Sequence, residues 1–345
     1  MKPKLAFVDH SFHKNTHSGD FLRELFSTQF EVIDFWDECW RTGKTNLSIN
    51  DINNGNFTHV FFFQSIFPIA QLNQLKPTII WAPMYDSVLS NDSIPYLMKL
   101  AQLPIKVLCF SKALYTKFTT YGFECIYTQY FFNPATQTQI QDYSNLRIFL
   151  WQRTNINFSY IKKLFYLLPI KQCIIKCNPD PGYRALLPSK QDRIKYNITV
   201  IEKGFTEKTQ YLNLLQQSNI FVCPRHYEGI GMSFLEALSI GLIPAAIDAP
   251  TMNEYIIHGK NGLLFNNHTK KLDLSTDALP NLGKCVKEFA LNGYNHWLKQ
   301  KMEILRFIQS PFQPKKHLTK KMSRQIFLIS LLPQCWKNIN SKFFD

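Results

Sequence analysis

The sequence predicts an α/β protein built from two successive βα domains. Short apolar runs alternate with segments of helical periodicity over residues 5–130, a polar stretch follows at 133–142, and the alternation restarts at 147. Fully apolar strands that alternate with helices are typical of a parallel sheet covered on both faces. The chain has 345 residues, 45% of them hydrophobic, which is enough for two packed domains of ordinary size.

The first predicted domain comprises residues 1–140. Short apolar runs predict six strands, at 5–9, 31–35, 59–63, 78–81, 105–110 and 124–130. Apolar residues spaced three and four apart predict helices between them, at 19–27, 94–103 and 112–121. The stretch at 133–142 lacks either periodicity, so it is predicted to be the linker to the next domain.

The second predicted domain comprises residues 145–285. Its predicted strands are 148–152, 172–176, 198–202, 220–223 and 243–247, and its predicted helices are 158–168, 207–218 and 234–240. A C-terminal segment, 286–345, shows helical patterns at 286–291 and 296–308. Ligands of such sheets bind outside the carboxyl ends of the strands, so two domains facing each other would enclose a cleft.

The net charge of +14 is compatible with a lysine-rich surface, an anionic ligand or an anionic membrane surface. Nucleic acid is not an expected partner, because the chain lacks a clustered basic and aromatic module. A basic cluster at 315–324 precedes an apolar run at 326–332. That order is typical of a segment on a membrane surface, and equally of a terminal helix packed on the body.

The sequence predicts a cytoplasmic protein. No apolar run approaches the roughly 20 residues that span a bilayer, and the apolar part of the N-terminus is too short for a signal peptide. The eight cysteines are dispersed and lie at no metal-binding spacing, so reduced thiols are expected.

The most informative segment is 225–236, Arg-His-Tyr-Glu-Gly-Ile-Gly-Met-Ser-Phe-Leu-Glu. It joins a predicted strand to a predicted helix, and Gly229 and Gly231 allow close approach of the backbone to a ligand. A glycine-bearing loop at a helix N-terminus binds anions, because free N–H groups and the helix dipole favour negative charge. Carboxylates at Glu228 and Glu236 beside it can bind sugar or ribose hydroxyls, which together fits a nucleotide-sugar pocket.

These residues also have structural interpretations. Ser233 and Glu236 match the capping box, in which the serine caps the helix and the glutamate bonds back to the serine N–H. Glu228 would then be a solvated loop residue, and the glycines would serve a tight turn. On the residues alone, the capping and ligand roles of Glu236 stay equally open.

The pattern Glu-Gly-x-Gly-x-Ser-x-x-Glu, followed by Ala-Leu-Ser-Ile-Gly-Leu-Ile-Pro, resembles the donor-binding segment of retaining GT-B glycosyltransferases of the large family 4 group. The run 249–265 resembles the next segment of these glycosyl transferases group 1. There a proline and a glutamate precede an apolar turn and a Gly-x-x-Gly hairpin. The strong match covers residues 200–265. The resemblance implies a GT-B fold, with two Rossmann-like domains facing across a cleft.

The resemblance also implies roles for individual residues. Glu228 corresponds to the glutamate that contacts donor-sugar hydroxyls, and Glu236 to the one that holds the ribose hydroxyls. This favours the ribose role for Glu236 over the capping role. The donor-binding set is completed by Gly229, Gly231, Met232 and Ser233, whose backbone meets the sugar and diphosphate.

In the family, an arginine and a lysine on the first loop of the second domain neutralise the diphosphate. Arg153 ends the corresponding strand here, and an arginine fork donates two parallel hydrogen bonds to phosphate. The lysine commonly stands five residues further on, where this chain has Phe158. Lys162 and Lys163 on the following helix are candidates to replace it, unless both lie on a solvated helix face. Lys162 joins Arg153 and Glu228 in the predicted catalytic set, and Lys163 is assigned to the donor site.

Three residues of the first domain complete the predicted site. Gly19 is the best match to the family's glycine loop near the donor phosphate, although the usual double glycine is absent. Tyr85 and Asp86 follow a strand and are predicted to contact acceptor or donor sugar, unless Asp86 caps a structural turn. His13 and His17 lie in a predicted loop rather than on a helix, so no metal site is expected.

The resemblance therefore implies a retaining, metal-independent glycosyltransferase of bacterial surface glycan synthesis, making polysaccharide or lipid-linked oligosaccharide. The donor is a nucleotide-diphosphate sugar, and no cofactor is expected. The expected partners are this nucleotide sugar, a glycan or lipid-linked acceptor, and the inner face of the membrane in a peripheral contact. The alternatives are a nucleotide-sugar epimerase or phosphorylase of the same architecture, or a non-catalytic glycan-binding relative.

Overall fold

The computed structural model describes residues 2–90, 94–202 and 208–313, which form two compact units. Of the described residues, unit 1 contains those up to Thr128 and those from Gln300 to 313, and unit 2 contains those from Gln129 to Lys299. The predicted basic cluster at 315–324 and the apolar run at 326–332 lie outside the described residues. The domain limits 140, 145 and 286 stay sequence predictions.

Unit 1 contains a parallel sheet with helices between its strands. The strands are β1 (Lys4–His10), β2 (Glu31–Asp37), β3 (Phe57–Phe63), β4 (Thr78–Ala82), β5 (Ile105–Cys109) and β6 (Glu124–Tyr127). The helices are α1 (His13–Thr16), α2 (Asp20–Ser27), α3 (Cys39–Thr42), α4 (Ile49–Asn54), α5 (Ile69–Leu72), α6 (Tyr85–Ser90), α7 (Ile94–Leu100) and α8 (Lys112–Thr120). The strand order is β2-β1-β3-β4-β5-β6. All residues of β5 are buried, because the strand lies between β4 and β6 in a sheet that is covered on both faces.

Unit 2 contains the second parallel sheet. The strands are β7 (Leu146–Gln152), β8 (Ile170–Cys177), β9 (Ile198–Ile201), β10 (Ile220–Val222), β11 (Ile243–Ile247) and β12 (Leu263–Phe265). The helices are α9 (Phe158–Leu164), α10 (Lys190–Lys195), α11 (Lys208–Gln216), α12 (Met232–Ser239) and α13 (Leu279–Gln309), the last of which continues into unit 1. Short 3₁₀ helices lie at Pro134–Thr136, Met252–Glu254 and Thr276–Ala278. The order β9-β8-β7-β10-β11-β12 is the Rossmann order.

The stretch predicted as a linker, 133–142, is fixed to unit 2. Ile140 is buried, and its N–H donates to the carbonyl oxygen of Ile240 at 2.8 Å. The neighbouring Tyr143 is also buried, and its hydroxyl donates to the carbonyl oxygen of Gly241 at 2.6 Å. Two apolar anchors therefore hold a segment whose composition is mostly polar.

The C-terminal helical pattern forms one helix rather than the two predicted at 286–291 and 296–308. α13 has 31 residues and continues through Gly293. A Cβ atom at Gly293 would lie 2.3 Å from the ring of Phe131, so this glycine permits close packing of an aromatic ring. The interruption of the helical pattern between 291 and 296 therefore reflects this contact, and the helix does not end there. No helix of the described residues is long and apolar enough to cross a membrane.

Lys106 is a charged residue inside the apolar sheet of unit 1. Its side chain is fully buried on β5, and Nζ donates to the carbonyl oxygens of Phe307 and Ser310, the latter at 2.7 Å. Nζ also lies 3.6 Å from a carboxylate oxygen of Glu124. Burial lowers the pKa of Lys106, and Glu124 opposes that shift. Because these carbonyl groups are at the C-terminal end of α13, Lys106 caps the helix and complements its dipole.

Lys106→Met is expected to destabilise the protein by about 3–5 kcal/mol, since it leaves buried carbonyl groups and the Glu124 carboxylate without their cation. Urea unfolding of the full chain measures this. Lys99→Met, on the exposed face of α7, is the matched control and should change stability by less than about 0.5 kcal/mol. Equal stability of the two variants would contradict the capping role of Lys106.

Candidate functional site

The strand order of unit 2 reverses between β7 and β10. The chain runs outward from β7 to β8 and β9, then returns to β10 and runs outward through β11 to β12. Both β7–β8 and β7–β10 pair in parallel, so their carboxyl ends lie at one edge of the sheet. Ligands of open α/β sheets bind outside this edge, at the point of reversal.

Arg153 lies at that point, as predicted, directly after β7. Its Nε and Nη2 atoms are 2.8 and 2.7 Å from Oδ1 of Asp180, which is in the loop after β8. The side chain of Arg153 is 27% exposed, so the guanidinium is ordered by the carboxylate and still open to a ligand.

Arg225 is a functional candidate that our sequence reasoning missed. It follows β10, and its Nε donates to Oδ2 of Asp180 at 2.7 Å. Its Nη1 also donates to Oε2 of Glu228 at 3.3 Å. The signal was present in the sequence, because Arg225 is in the same loop as Glu228 and three residues before it. The structure thus joins Arg153, Asp180, Arg225 and Glu228 in one network.

Glu228 is a buried residue, and not a solvated loop glutamate. It is 7% exposed, and its carbonyl oxygen accepts a hydrogen bond from Oγ1 of the buried Thr251 at 3.2 Å. Thr154 adds a second restraint, since its hydroxyl donates to the carbonyl oxygen of Pro224 at 2.8 Å. The loops after β7 and β10 are therefore held together, and the Glu228 carboxylate lies beside the guanidinium group of Arg225.

α12 begins one residue after Gly231, which has a positive φ of 77° and forms the N-cap. No side chain caps this helix, so the predicted capping box of Ser233 and Glu236 does not form. The physical reason is register: Ser233 lies within the first turn of the helix and not at its N-cap. Met232 and Ser233 are partly exposed at this end, while Gly229 is buried. Because no side chain caps the helix, the backbone N–H groups of its first turn are the polar groups at this end.

Glu236 lies further along α12 and pairs with Lys208. Its Oε1 is 2.7 Å from Nζ of Lys208, and its side chain is 16% exposed. Burial raises the pKa of Glu236, and Lys208 opposes that shift. A nearly buried carboxylate held by one exposed lysine can exchange that cation for ligand hydroxyls.

The structure does not bring the two predicted lysines into the arginine network. Nζ of Lys162 pairs with Asp192 of α10 at 2.9 Å, and Lys163 is exposed on the same helix. Phe158, at the position where the resembling family carries lysine, is buried at the start of α9 and 3% exposed.

The three predicted residues of unit 1 lie near carboxyl ends of its strands. Gly19 is the N-cap of α2, and a Cβ atom there would lie 2.6 Å from Nη1 of Arg23. Tyr85 and Asp86 begin α6, directly after β4, where Oδ1 of Asp86 accepts the N–H of Ser87 at 3.0 Å. Their roles in binding stay predictions.

A buried charge cluster that the sequence analysis did not identify lies at the end of β1. Nδ1 of His13 is 2.6 Å from Oδ1 of Asp9, and Nη2 of Arg23 is 3.0 Å from Oδ2. The ring centroids of His10 and His13 are 3.7 Å apart, with the two rings tilted by 38°. Asp9, His10 and His13 bring possible metal-ligand atoms within 4.8 Å of one another. Both oxygens of Asp9 already accept hydrogen bonds, so we interpret the cluster as a support for Gly19 and α2.

Comparison with known proteins agrees with this geometry. Residues 188–279, which contain Glu228, the glycine loop and Glu236, match the family model described as Glycosyl transferases group 1. The two Rossmann-like units match solved GT-B structures. The resemblance to GT-B glycosyltransferases of group 1 is therefore confirmed, and so is the predicted α/β class with two Rossmann-like units.

Two solved structures illustrate the likeness in fold. Sucrose-phosphate synthase from Thermosynechococcus elongatus superposes with a TM-score of 0.58 at 13% identity, covering 95% of this chain and 100% of the synthase. Anabaena HepE, solved in complex with UDP and glucose, superposes with a TM-score of 0.57 at 14% identity, covering 88% of this chain and all of HepE.

The curated relatives match only a part of this chain. The GDP-mannose:cellobiosyl-diphosphopolyprenol alpha-mannosyltransferase of Xanthomonas oryzae pv. oryzae is 26% identical over 134 residues, which is 35% of this chain and 34% of that protein. Its Xanthomonas campestris counterpart is 27% identical over 99 residues, 25% of this chain and 26% of that protein. This chain thus spans about a third or less of the length of the curated relatives it matches.

Glu236→Gln is expected to gain stability relative to wild type as the pH rises from about 4 to about 7. Because burial raises the pKa of Glu236, the folded state binds this proton more tightly than the unfolded state does. Its contribution to stability is therefore present at low pH and lost as the pH rises through the folded pKa. Glutamine cannot ionise and avoids that loss.

Melting temperatures across this pH range measure the effect. Glu288→Gln, on an exposed part of α13, is the matched control for replacing a carboxylate by an amide. If the melting temperatures of Glu236→Gln and wild type differ by the same amount at every pH, ionisation of Glu236 does not destabilise the folded state as expected.

Proposed function

We propose that this protein is a retaining glycosyltransferase, and that unit 2 binds its nucleotide-diphosphate sugar. The observation that carries the proposal is the network at the strand-order reversal. Two arginines and the buried Glu228 converge there, and the loop that carries Arg225 and Glu228 leads into the N-terminus of α12, which no side chain caps. Cations and a helix N-terminus suit a diphosphate, and a fixed carboxylate suits sugar hydroxyls.

In this proposal each group has a chemical role. Glu228 accepts hydrogen bonds from the donor sugar, and Glu236 accepts those of the ribose after Lys208 moves away. Arg153 and the first turn of α12 stabilise the negative charge that develops on the departing diphosphate. Donors that are already oriented before the reaction contribute strongly to such catalysis.

Retention is proposed to follow from attack of the acceptor hydroxyl on the face from which the diphosphate leaves. The bond from the anomeric carbon to the diphosphate oxygen breaks as the bond to the acceptor oxygen forms. The proton of the acceptor hydroxyl passes to the leaving phosphate. Metal-independent charge stabilisation by arginines is part of the same proposal.

Transfer assays with purified full-length protein and a panel of nucleotide sugars test the function. A transferase releases nucleoside diphosphate in the presence of a suitable acceptor, and NMR of the product reports the anomeric configuration. An epimerase would convert the donor without acceptor, a phosphorylase would need phosphate, and a glycan-binding relative would release nothing. Inversion in the product would overturn the proposed mechanism.

We propose a lipid-linked glycan as the acceptor class, in surface glycan synthesis at the inner face of the membrane. Support comes from the curated relatives, whose names specify a diphosphopolyprenol-linked acceptor, and from the net charge of +14. Transfer to a lipid-linked oligosaccharide, with much weaker transfer to the same glycan in free form, would support this acceptor.

Binding to vesicles that contain anionic lipid is expected to weaken as salt increases from about 50 to 500 mM, because screening reduces attraction between the basic chain and the surface. Co-sedimentation measures it, with neutral vesicles as the control. A variant truncated after Pro311 is expected to bind less. Unchanged binding of that variant would contradict membrane contact by residues 315–332, one of the two interpretations of that segment.

Glu228→Gln is expected to reduce kcat/KM for donor turnover about 100-fold, since a neutral amide replaces a fixed carboxylate in contact with the sugar. Steady-state assays measure the change, and Glu303→Gln on α13 is an exposed control. Full turnover by a correctly folded Glu228→Gln variant would show that the assignment of Glu228 to the donor site is wrong.

A further inference from the structure

Two aromatic side chains, Phe12 and Trp40, are exposed at the carboxyl edge of the unit 1 sheet. Phe12 follows β1 and is 42% exposed, and Trp40 follows β2 and is 50% exposed. Their ring centroids are 5.4 Å apart, with the ring planes tilted by 58°. We call this pair the aromatic platform. Single exposed apolar side chains are common on protein surfaces, whereas rings that adjoin each other form a patch available to a ligand.

The aromatic platform is held in one orientation. Nε1 of Trp40 donates to Oγ of Ser11 at 2.9 Å, and the N–H of Ser11 donates to the carbonyl oxygen of Asp37 at 2.8 Å. The ring centroid of His10 lies 6.4 Å from those of Phe12 and Trp40. A ligand therefore meets aromatic faces that are already positioned, which reduces the entropy lost on binding.

The strand order of unit 1 places the aromatic platform at a ligand-binding position. β1 lies between β2 and β3, so the chain runs outward from β1 to β2 and then returns to β3 on the other side. Ligands of open parallel sheets bind outside the carboxyl ends of the strands at such a reversal. A cavity at this point, lined in part by Asp9, His10, Asp37 and Ser65, has a volume of about 10 Å³, the size of one water molecule. A sugar cannot enter it, and the exposed faces of the platform are the surface open to a larger ligand.

The surroundings of the aromatic platform favour a sugar ring over a prenyl chain or a flat base. Glu38 and Arg41 flank Trp40 along the chain, with Oε2 and Nε 3.4 Å apart, and Oδ1 of Asn46 accepts the N–H of Glu38 at 2.8 Å. A prenyl chain would need a surface without such polar groups. Rings tilted by 58° cannot sandwich a flat base, but they can contact two sides of a puckered ring. A pyranose offers C–H groups, which the negative face of an aromatic ring attracts, and hydroxyl groups for the polar neighbours.

We propose that the aromatic platform binds a pyranose ring of the acceptor glycan by stacking, and that Glu38 and Arg41 bind hydroxyl groups of that ring. This inference rests on the proposed function and names acceptor-binding residues in unit 1. It assigns the sugar part of the acceptor, and not its lipid, to this surface. The loops after β1 and β2 thereby select an acceptor by the shape of its sugar ring.

Titration of the full chain with methyl glucoside, cellobiose and maltose tests the inference, with tryptophan fluorescence and saturation-transfer NMR as readouts. Sorbitol is the matched control ligand, because it carries hydroxyl groups like those of glucose on an open chain. Uridine and the prenyl alcohol farnesol test the flat base and the lipid as occupants. The wild type is expected to bind at least one of the sugars, and to bind sorbitol about 10-fold more weakly or not at all.

Variants of the aromatic platform separate stacking from simple apolar contact. Trp40→Ala is expected to weaken sugar binding about 10-fold and Phe12→Ala about 3-fold, because each removes an aromatic face. Trp40→Leu keeps an apolar side chain without that face and should lose as much as Trp40→Ala, whereas Trp40→Phe should retain part of the affinity. Tyr166→Ala, at an exposed tyrosine of unit 2, is the matched control and should bind like wild type. Circular dichroism confirms that each variant is folded.

Transfer assays test whether the bound sugar is the acceptor. Trp40→Ala is expected to raise the KM for the acceptor about 10-fold and to change the KM for the donor less than about twofold, since only acceptor binding is lost. An unchanged acceptor KM overturns the acceptor role of the aromatic platform.

The binding outcomes distinguish this inference from the proposed function. Equal sugar binding in Trp40→Ala and Tyr166→Ala overturns the inference, while transfer by the wild type would leave the proposed function standing. Full affinity in Trp40→Leu overturns stacking as the cause of binding. Farnesol or uridine binding that Trp40→Ala removes, with no sugar bound, overturns the sugar as occupant. Sugar binding that depends on Trp40, without transfer from any nucleotide sugar, supports the platform as a sugar site and overturns the proposed function. A wild type that binds none of the sugars overturns the inference.

Discussion

The carboxylate of Asp180 is the contact on which the geometry of the unit 2 site depends. It binds Arg153 and Arg225, two like charges that would otherwise repel each other at the same sheet edge. Asp180 thereby links the loops after β7, β8 and β10 to one another. This arrangement is possible because the strand order reverses between β7 and β10, which places three loop origins side by side.

The two glutamates of the site occupy different electrostatic environments. Glu228 is beside Arg225 in the loop, whereas Glu236 is on α12 and pairs with Lys208. Each carboxylate is largely buried, which costs solvation energy unless a cation or hydrogen-bond donor compensates. A chain selected only for stability would not need either group, so their placement is more consistent with ligand binding than with folding.

The sequence was sufficient to predict much of this structure because its strongest signals are local. Apolar runs identified eleven of the twelve strands, and the glycine loop located the start of α12. β12 was interpreted as part of a hairpin, because three residues are too few to show a period. The helical pattern was predicted in two parts, at 286–291 and 296–308, because the packing of Gly293 against Phe131 has no local signature.

The structure brings some of the predicted site residues together and leaves others apart. Glu228 and Arg153 were predicted because a loop motif and a strand end mark them, and the structure joins them through Asp180 and Arg225. Asp180 carries no motif, and only the alignment of three strands shows that it binds both arginines. Lys162 was chosen by its position on α9, yet the side chain pairs with Asp192, which sequence distance does not reveal.

The enclosure of Lys106 has a consequence for the chemical reactivity of the protein. Its amine is fully buried between β5 and the end of α13, whereas most lysines of the described chain are open to solvent. An acylating reagent can reach that amine only when the end of α13 detaches from β5. The rate at which Lys106 is labelled therefore measures local opening of this helix end in the folded protein.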